Sequence, residues 1–144
     1  MSEKRAQLAS ELEAELPHFT ICLANRTEEY HRVVYPWLRN TQFLLTDGVK
    51  HLVDKAGVIG GTAYWLIDIL ASYQRTKPVK DEPFQVWKLT VKDSAGKVTC
   101  DDGNGRTMVA TQEIPFVDFA LDEVTLYITS DEFNGIVVML PSEY

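Results

Sequence analysis

The spacing of apolar residues divides the chain into a helical first half and a strand-rich second half. Near the start, Leu8, Leu12 and Leu16 recur every four residues among charged positions, and Pro17 ends the pattern. This spacing predicts an amphipathic helix that docks on the rest of the protein. Farther along, apolar and polar residues alternate in FQVWKLTVKD (residues 84–93), which is typical of a strand with one buried face.

Three more segments of the first half carry a helical pattern. TEEYHRVVYPWL predicts a helix that Thr27 caps and Pro36 interrupts. TDGVKHLVDKAG predicts a helix that Asp47 caps and Gly57 ends in left-handed geometry, and the preceding QFLLT is typical of a short strand or an apolar turn. GGTAYWLIDILASYQ (residues 60–74) is the most apolar helical run, so its helix should be buried on most sides.

The second half predicts a sheet of about five strands. Turn formers separate the β-rich segments FQVWKLTVKD, KVTC, RTMVATQEI, EVTLYIT and GIVVMLP, and Asn134-Gly135 is a strong hairpin signal. Short turns between successive strands favour an antiparallel meander that packs one face against the helices. We therefore predict an α+β fold in one domain, residues 1–144, with a helical half at about 1–77 and a sheet half at about 83–144.

Composition and charge narrow the class of protein. The chain has 144 residues, 45% hydrophobic and 24% charged, as expected of a soluble domain with one core. No stretch reaches the roughly 18 apolar residues that span a bilayer, and the charged first residues do not resemble a secretory signal, so we expect no membrane partner and a cytoplasmic location. A net charge of −7 repels phosphate, so we expect no binding to free nucleic acid.

Asp68 is the first candidate for chemistry, because it lies inside the most apolar helix. At helical spacing Asp68, Ser72 and Arg75 form one narrow polar line. If this line meets solvent, Asp68 is a surface carboxylate near Arg75. If the line faces the interior, a partner such as a tyrosine hydroxyl must satisfy Asp68. Catalysis would need a second titratable group beside it, with Tyr64 or a histidine as the choices.

Other residues give weaker signals for chemistry. His18, Cys22, His31 and His51 do not follow a known zinc-binding spacing, so we predict no metal and no cofactor. Cys100 lies beside Asp101 and Asp102, whose charges oppose formation of a thiolate, so it reads as a packing residue. We assign no catalytic residue.

Aromatic residues and the last residues of the chain are candidates for partner contacts. Tyr64 and Trp65 belong to an aromatic-rich region, and these residue types are enriched in protein interfaces. At the end of the chain, we expect Tyr144 to pack over the edge of the sheet. An alternative is that its free carboxylate, beside Glu143, pairs with Arg75 or Arg39.

Several motifs resemble those of an uncharacterised bacterial family. TDGVK, AYWLID and the terminal LPSEY, with the strands between them, are similar to a domain of unknown function that is found on plasmids, phages and other mobile elements. The resemblance covers residues 46–144 and implies neither an activity nor catalytic residues.

These observations favour a small non-enzymatic protein that serves a mobile element by binding another protein. One alternative is an acidic inhibitor that presents carboxylates in place of DNA phosphates to a nucleic-acid enzyme. Its candidate residues are Glu11, Glu13, Glu15, Asp101, Asp102, Asp118, Asp122, Glu123, Asp131 and Glu132. A second alternative is a small enzyme of unknown reaction that uses Asp68.

Overall fold

Three α-helices cover one face of a seven-stranded sheet in the computed structural model, which describes residues 3–20, 30–38, 41–131 and 135–144. The α-helices are α1 (Glu3–Glu15), α2 (Asp47–Lys55) and α3 (Tyr64–Ser72). The strands are β1 (His31–Val33), β2 (Phe43–Leu45), β3 (Phe84–Lys92), β4 (Ala95–Asp101), β5 (Thr107–Ile114), β6 (Glu123–Asp131) and β7 (Gly135–Met139). Short 3-10 helices occupy Leu16–His18, Tyr73–Arg75, Val79–Asp81 and Pro141–Glu143.

The core lies between the helices and the inner face of the sheet. Along β3 the side chains of Trp87, Leu89 and Val91 are buried, whereas Lys88 and Lys92 on the outer face are exposed. The helices meet these strand residues with apolar faces of their own, including Leu12 of α1. The α+β prediction and the alternation predicted for β3 are therefore confirmed.

The sheet is larger and more mixed than the predicted meander. Its order is β1-β2-β7-β6-β3-β4-β5, and β2 pairs with β7 in parallel, whereas the other neighbouring pairs are antiparallel. The five predicted strands are present as β3 to β7. Their order differs from a meander, because β6 pairs with β3 and not with β5.

An apolar crossover explains this order. The segment between β5 and β6 buries Val117, Phe119, Ala120 and Leu121 instead of forming a turn. It passes the end of the β3–β4 hairpin, where the Val117 amide donates to the Ser94 carbonyl at 2.8 Å. The chain therefore reaches β3 from its other side before β6 begins.

Strand β1 corrects the prediction for the region before residue 46. His31–Val33 is a strand that pairs with Phe43–Leu45, and not part of a helix. The ladder to β2 outweighs the local helical pattern, since strand formation depends on its neighbours more than on intrinsic preference. Thr27, the predicted cap, lies outside the described residues.

Both ends of α2 differ from the prediction by a residue or two. The cap is Thr46 and not Asp47, because Thr46 Oγ1 accepts from the Val49 amide at 3.5 Å. The helix ends at Lys55, before Gly57. Gly57 has no positive φ, and it is required for another reason: a Cβ atom there would lie 2.1 Å from the carbonyl oxygen of Thr62.

A buried amide network joins the helical half to the sheet half. The side chains of Gln74 and Gln85 donate to each other at 2.9 and 3.0 Å. The indole of Trp87 donates to Gln85 Oε1 at 2.8 Å, and Gln85 Nε2 donates to the carbonyl of Val79 at 3.1 Å. Because each of these buried polar groups has a partner, the hydrogen bonds offset the cost of removing the amides from water, and the network links the 3-10 helix after α3 to β3.

Within the described ranges, the helices are too short or too polar to cross a membrane.

Candidate functional site

The first polar cluster joins Lys50 and Asp54 of α2 to Tyr64 at the start of α3. The Tyr64 hydroxyl donates to Asp54 Oδ1 at 2.7 Å, and Lys50 Nζ donates to Asp54 Oδ2 at 2.7 Å. Lys50 Nζ also lies 3.2 Å from the Tyr64 hydroxyl oxygen. Lys50 and Asp54 share one face of the helix because they are four residues apart.

These contacts favour the charged forms of Lys50 and Asp54 and the neutral form of Tyr64. The hydrogen bond to Asp54 raises the pKa of Lys50. Burial acts to raise the pKa of Asp54, but hydrogen bonds from Lys50 and Tyr64 outweigh it and lower that pKa. Burial, and then the hydrogen bond to Asp54, raise the pKa of Tyr64. At neutral pH the three groups therefore satisfy one another.

Asp68 is exposed on α3 and pairs with a residue that the sequence did not single out. The Tyr35 hydroxyl, just after β1, donates to Asp68 Oδ1 at 2.5 Å. Burial, followed by the hydrogen bond to Asp68, raises the pKa of Tyr35, so this side chain remains a phenol. Ser72 is exposed as well, as the predicted polar line requires. The structure does not bring Asp68 together with Tyr64, whose hydroxyl reaches Asp54.

The other two candidates of this region lie apart from Asp68. Trp65 is half-buried, and its ring contacts that of Phe119 edge-on with centroids 6.0 Å apart. It therefore packs against the crossover. Arg75 is exposed at the end of the 3-10 helix Tyr73–Arg75, and it forms no ion pair with the carboxylates in the described part of the chain.

Glu143 contacts the first turn of α2. Its carboxylate is buried at 6% exposure, and Oε1 accepts from the Thr46 hydroxyl at 2.6 Å and from the Leu140 amide at 3.0 Å. Oε2 accepts from the Gly48 amide at 3.1 Å. We call Thr46, Gly48, Leu140 and Glu143 the C-terminal lock. A carboxylate at a helix N-terminus satisfies unpaired amides and complements the helix dipole.

Tyr144 follows the C-terminal lock and lies on the outer face of the sheet. Its ring is 5.2 Å from that of Phe84 and 5.7 Å from that of Tyr127, centroid to centroid. It stays 67% exposed, so the aromatic trio forms a small open platform at the end of the chain.

Cys100 and the histidines offer no activated nucleophile or ligand set in the described residues. Burial, and then the charges of Asp101, Glu82 and Asp102, raise the pKa of the Cys100 thiol to about 12. Among the described residues, no three His, Cys, Asp or Glu side chains meet as metal ligands do. Cys22 lies outside those residues.

An open groove runs between the end of α1 and the C-terminal 3-10 helix, with a volume of about 550 Å³. Its floor contains Leu121, Val124 and Leu140, and Leu16, Pro17 and Pro141 form its walls. The titratable side chains that line it are Glu13, Asp122 and Glu123. We call it the acidic groove.

The sequence pointed to several residues of these polar clusters but not to their hydrogen-bond partners. Asp68, Tyr64 and Glu143 were candidates, but Tyr35, Asp54 and Thr46 were not. The motif TDGVK contains Thr46 and the motif LPSEY contains Glu143, so the two motifs carried the signal for the C-terminal lock. Nothing local indicated that residues 97 positions apart would touch.

Comparisons with known proteins place the chain in a family without assigning it an activity. A protein of unknown function from Enterococcus faecalis has a similar crystal structure, with a TM-score of 0.53, 14% identity, and coverage of 78% of this chain and 98% of that one. At this identity the likeness concerns the fold alone. Curated proteins gave no match. The sequence profile of the family of unknown function DUF6876 matches residues 10–144, which includes the motifs described above. The chain therefore belongs to the family DUF6876.

Proposed function

We propose that this protein is a small non-enzymatic interaction protein that binds another protein, in the service of a mobile genetic element. The proposal depends on one observation, namely grooves on the surface that are lined by apolar side chains. Besides the acidic groove, a second groove is bordered by Ile59 and Phe116, which are 76% and 64% exposed. Exposed apolar surface with a polar border is typical of interaction sites.

The polar clusters support binding over catalysis. Asp68 is held by Tyr35, and Asp54 is held by Lys50 and Tyr64. A general base works best with a pKa near the working pH and with a free proton path, whereas both tyrosines are shifted toward the phenol form.

The test first captures binding partners from a lysate and then measures the binding of each purified candidate. The immobilised full-length protein is exposed to a bacterial lysate, and each captured protein is then purified and titrated into it by calorimetry. We expect saturable association with a Kd of about 1 µM or tighter, which corresponds to about −8 kcal/mol.

The matched variant is Asp68→Asn, which retains an oxygen for the Tyr35 hydroxyl. It should bind the same partner with unchanged affinity. A reaction that the wild type carries out and Asp68→Asn does not would instead support the enzyme alternative. If no purified candidate gives a saturable titration, the proposal is wrong.

A second candidate, the acidic inhibitor of a nucleic-acid enzyme, has one observation in its favour. Glu13, Asp122 and Glu123 gather along one groove. Asp101 and Asp102 do not join them, because they accept backbone amides of their own turn, including that of Gly103 at 2.7 Å. Competition by duplex DNA for the captured partner would favour this candidate over a general interaction protein.

A further inference from the structure

We propose that the acidic groove binds an extended segment of the partner protein, with an apolar anchor residue flanked by lysine or arginine. This inference rests on the proposed function and names the site and the chemistry of the partner.

The sign of the charges distinguishes this groove from two other grooves on the described surface. One of those is lined by Lys92 and Lys97 together with Asp93 and Glu113. The groove beside Phe116 is lined by one cation and one anion, Arg5 and Asp118.

In the acidic groove all three charged side chains that line it are carboxylates. The net charge of −7 adds a long-range attraction for a basic partner.

Part of this charge is compensated from outside the groove. Asp122 pairs with Arg5 at 2.8 Å, and Glu123 pairs with Lys88 at 2.9 Å. The side chains of Asp122 and Glu123 are 84% and 55% exposed, so a ligand cation can reach both carboxylates. Glu13 has no ion-pair partner within the described residues, and it is exposed at the rim.

Part of strand β6 has no described strand paired with it on the β7 side, and an extended ligand could pair there. Strand β6 is four residues longer than β7, since it spans Glu123–Asp131 (9 residues) and β7 spans Gly135–Met139 (5 residues). Met139 lies opposite Tyr127, after which the chain turns into the 3-10 helix. No described strand therefore continues opposite Glu123 and Thr125.

Glu123 and Thr125 direct their backbone groups toward this gap. The Val91 amide donates to the Asp122 carbonyl and the Ser130 amide to the Pro83 carbonyl, so the even-numbered residues of β6 bond to β3. In an antiparallel ladder the alternate residues face the other side. An extended peptide can add to such an edge, with main-chain bonds for affinity and a pocket for selectivity.

The apolar part of the groove favours an apolar anchor residue in the ligand. Its floor of Leu121, Val124 and Leu140 is at most 9% exposed, so it is already packed and preformed. Leu16 and Pro141 stand on either side. An apolar side chain placed there loses water without any rearrangement of the core.

The experiment uses a phage-displayed library of random 12-residue peptides, selected on the full-length protein. Enriched sequences are synthesised and titrated by fluorescence anisotropy. We expect an apolar residue flanked by lysine or arginine, and an affinity that falls as salt rises.

The groove variant is Glu13→Lys combined with Ser142→Arg, both at exposed positions. We expect it to weaken peptide binding about tenfold, because it places like charges against the ligand. Glu13→Lys alone provides a second variant if the double one folds poorly. Glu3→Lys, which changes the charge of the same helix by as much as Glu13→Lys alone, should leave the affinity unchanged.

Three results would overturn the inference: no enrichment, enrichment without basic residues, or equal affinity for the groove variant and the wild type. Self-association that Glu13→Lys abolishes would overturn it too, since the occupant would then be a second copy of this chain. If a captured partner binds the groove variant as well as the wild type, the proposed function stands and this inference fails. If no captured protein can be reconstituted while the peptides bind as described, the proposed function fails, and the inference falls with it although the groove binds basic peptides.

Discussion

A Cβ atom at position 48 would lie 2.6 Å from Oε1 of Glu143 and 2.6 Å from Cδ1 of Leu140. Glu143 Oε1 accepts the hydrogen bonds from Thr46 and Leu140, so it cannot move away without weakening them, and the Leu140 side chain is packed in the core. We therefore expect Gly48→Ala to lower the free energy of unfolding by about 1–2 kcal/mol, because overpacking outweighs the better helix preference of alanine. Urea unfolding monitored by fluorescence measures the change.

Gly60→Ala is the matched control for this substitution. A Cβ atom at Gly60 meets nothing within 4 Å, and its φ is not positive. We expect a change within about 0.5 kcal/mol. Equal destabilisation by the two substitutions would show that the close approach of Glu143 to Gly48 does not matter for stability.

At this scale the sequence predicted exposure better than pairing. The four-and-three spacing placed Asp68, Ser72 and Arg75 on one line, and all three side chains are exposed. The partner of Asp68, Tyr35, is 33 residues away and lies in a turn after a strand that the local pattern did not indicate. A hydrogen bond across such a distance depends on the tertiary fold, so spacing along one helix cannot reveal it.

At the scale of elements, the amide network determines how α3 and its 3-10 extension connect to β3. We expect Gln85→Ala to destabilise the protein by about 3 kcal/mol, because Gln74 and the Trp87 indole would lose partners while still buried. The emission of Trp87 should also shift. Thermal unfolding and fluorescence spectra measure the two effects.

Gln7→Ala is the control for the loss of an amide side chain, since Gln7 is exposed on α1. It should leave the free energy of unfolding within about 0.5 kcal/mol of the wild-type value. A small effect of Gln85→Ala as well would mean that water replaces the lost partners, and the network would then contribute little.

The elements themselves were more predictable than their arrangement. Alternation indicated β3 and β6, and turn residues delimited β4, β5 and β7. Strand β3 alternates because it has one buried and one exposed face, whereas β7 buries Ile136, Val137 and Val138 in succession. The order was wrong, because the PFVDFALD crossover between β5 and β6 is apolar and non-periodic and reads like a long turn. Strand β1 has three residues, too few for a period of two to outweigh the helical pattern around it.

At the scale of the molecule, the two halves of the sequence do not form separate bodies in the described structure. One buried cluster contains Leu12 of α1, Leu66 of α3 and Ile128 of β6. The C-terminal lock adds a second connection, since Glu143 from the end of the sheet half caps α2 in the helical half. Helix and sheet therefore each lack a complete core without the other.

We accordingly expect one cooperative unfolding transition. Far-ultraviolet circular dichroism and tryptophan fluorescence should give the same urea midpoint, with a dependence of about 2 kcal/mol per molar urea, as for a single domain. The critical comparison introduces Gly48→Ala into a Trp37→Phe, Trp65→Phe background, because the chain has three tryptophans and Trp65 lies in α3. The substitution is then in α2, whereas the remaining tryptophan, Trp87, is 1% exposed and reports from β3. If the two halves of the protein unfold together, Gly48→Ala lowers the circular dichroism midpoint and the fluorescence midpoint equally. A midpoint that falls by circular dichroism while the fluorescence midpoint stays in place would show instead that the helices unfold independently of the sheet.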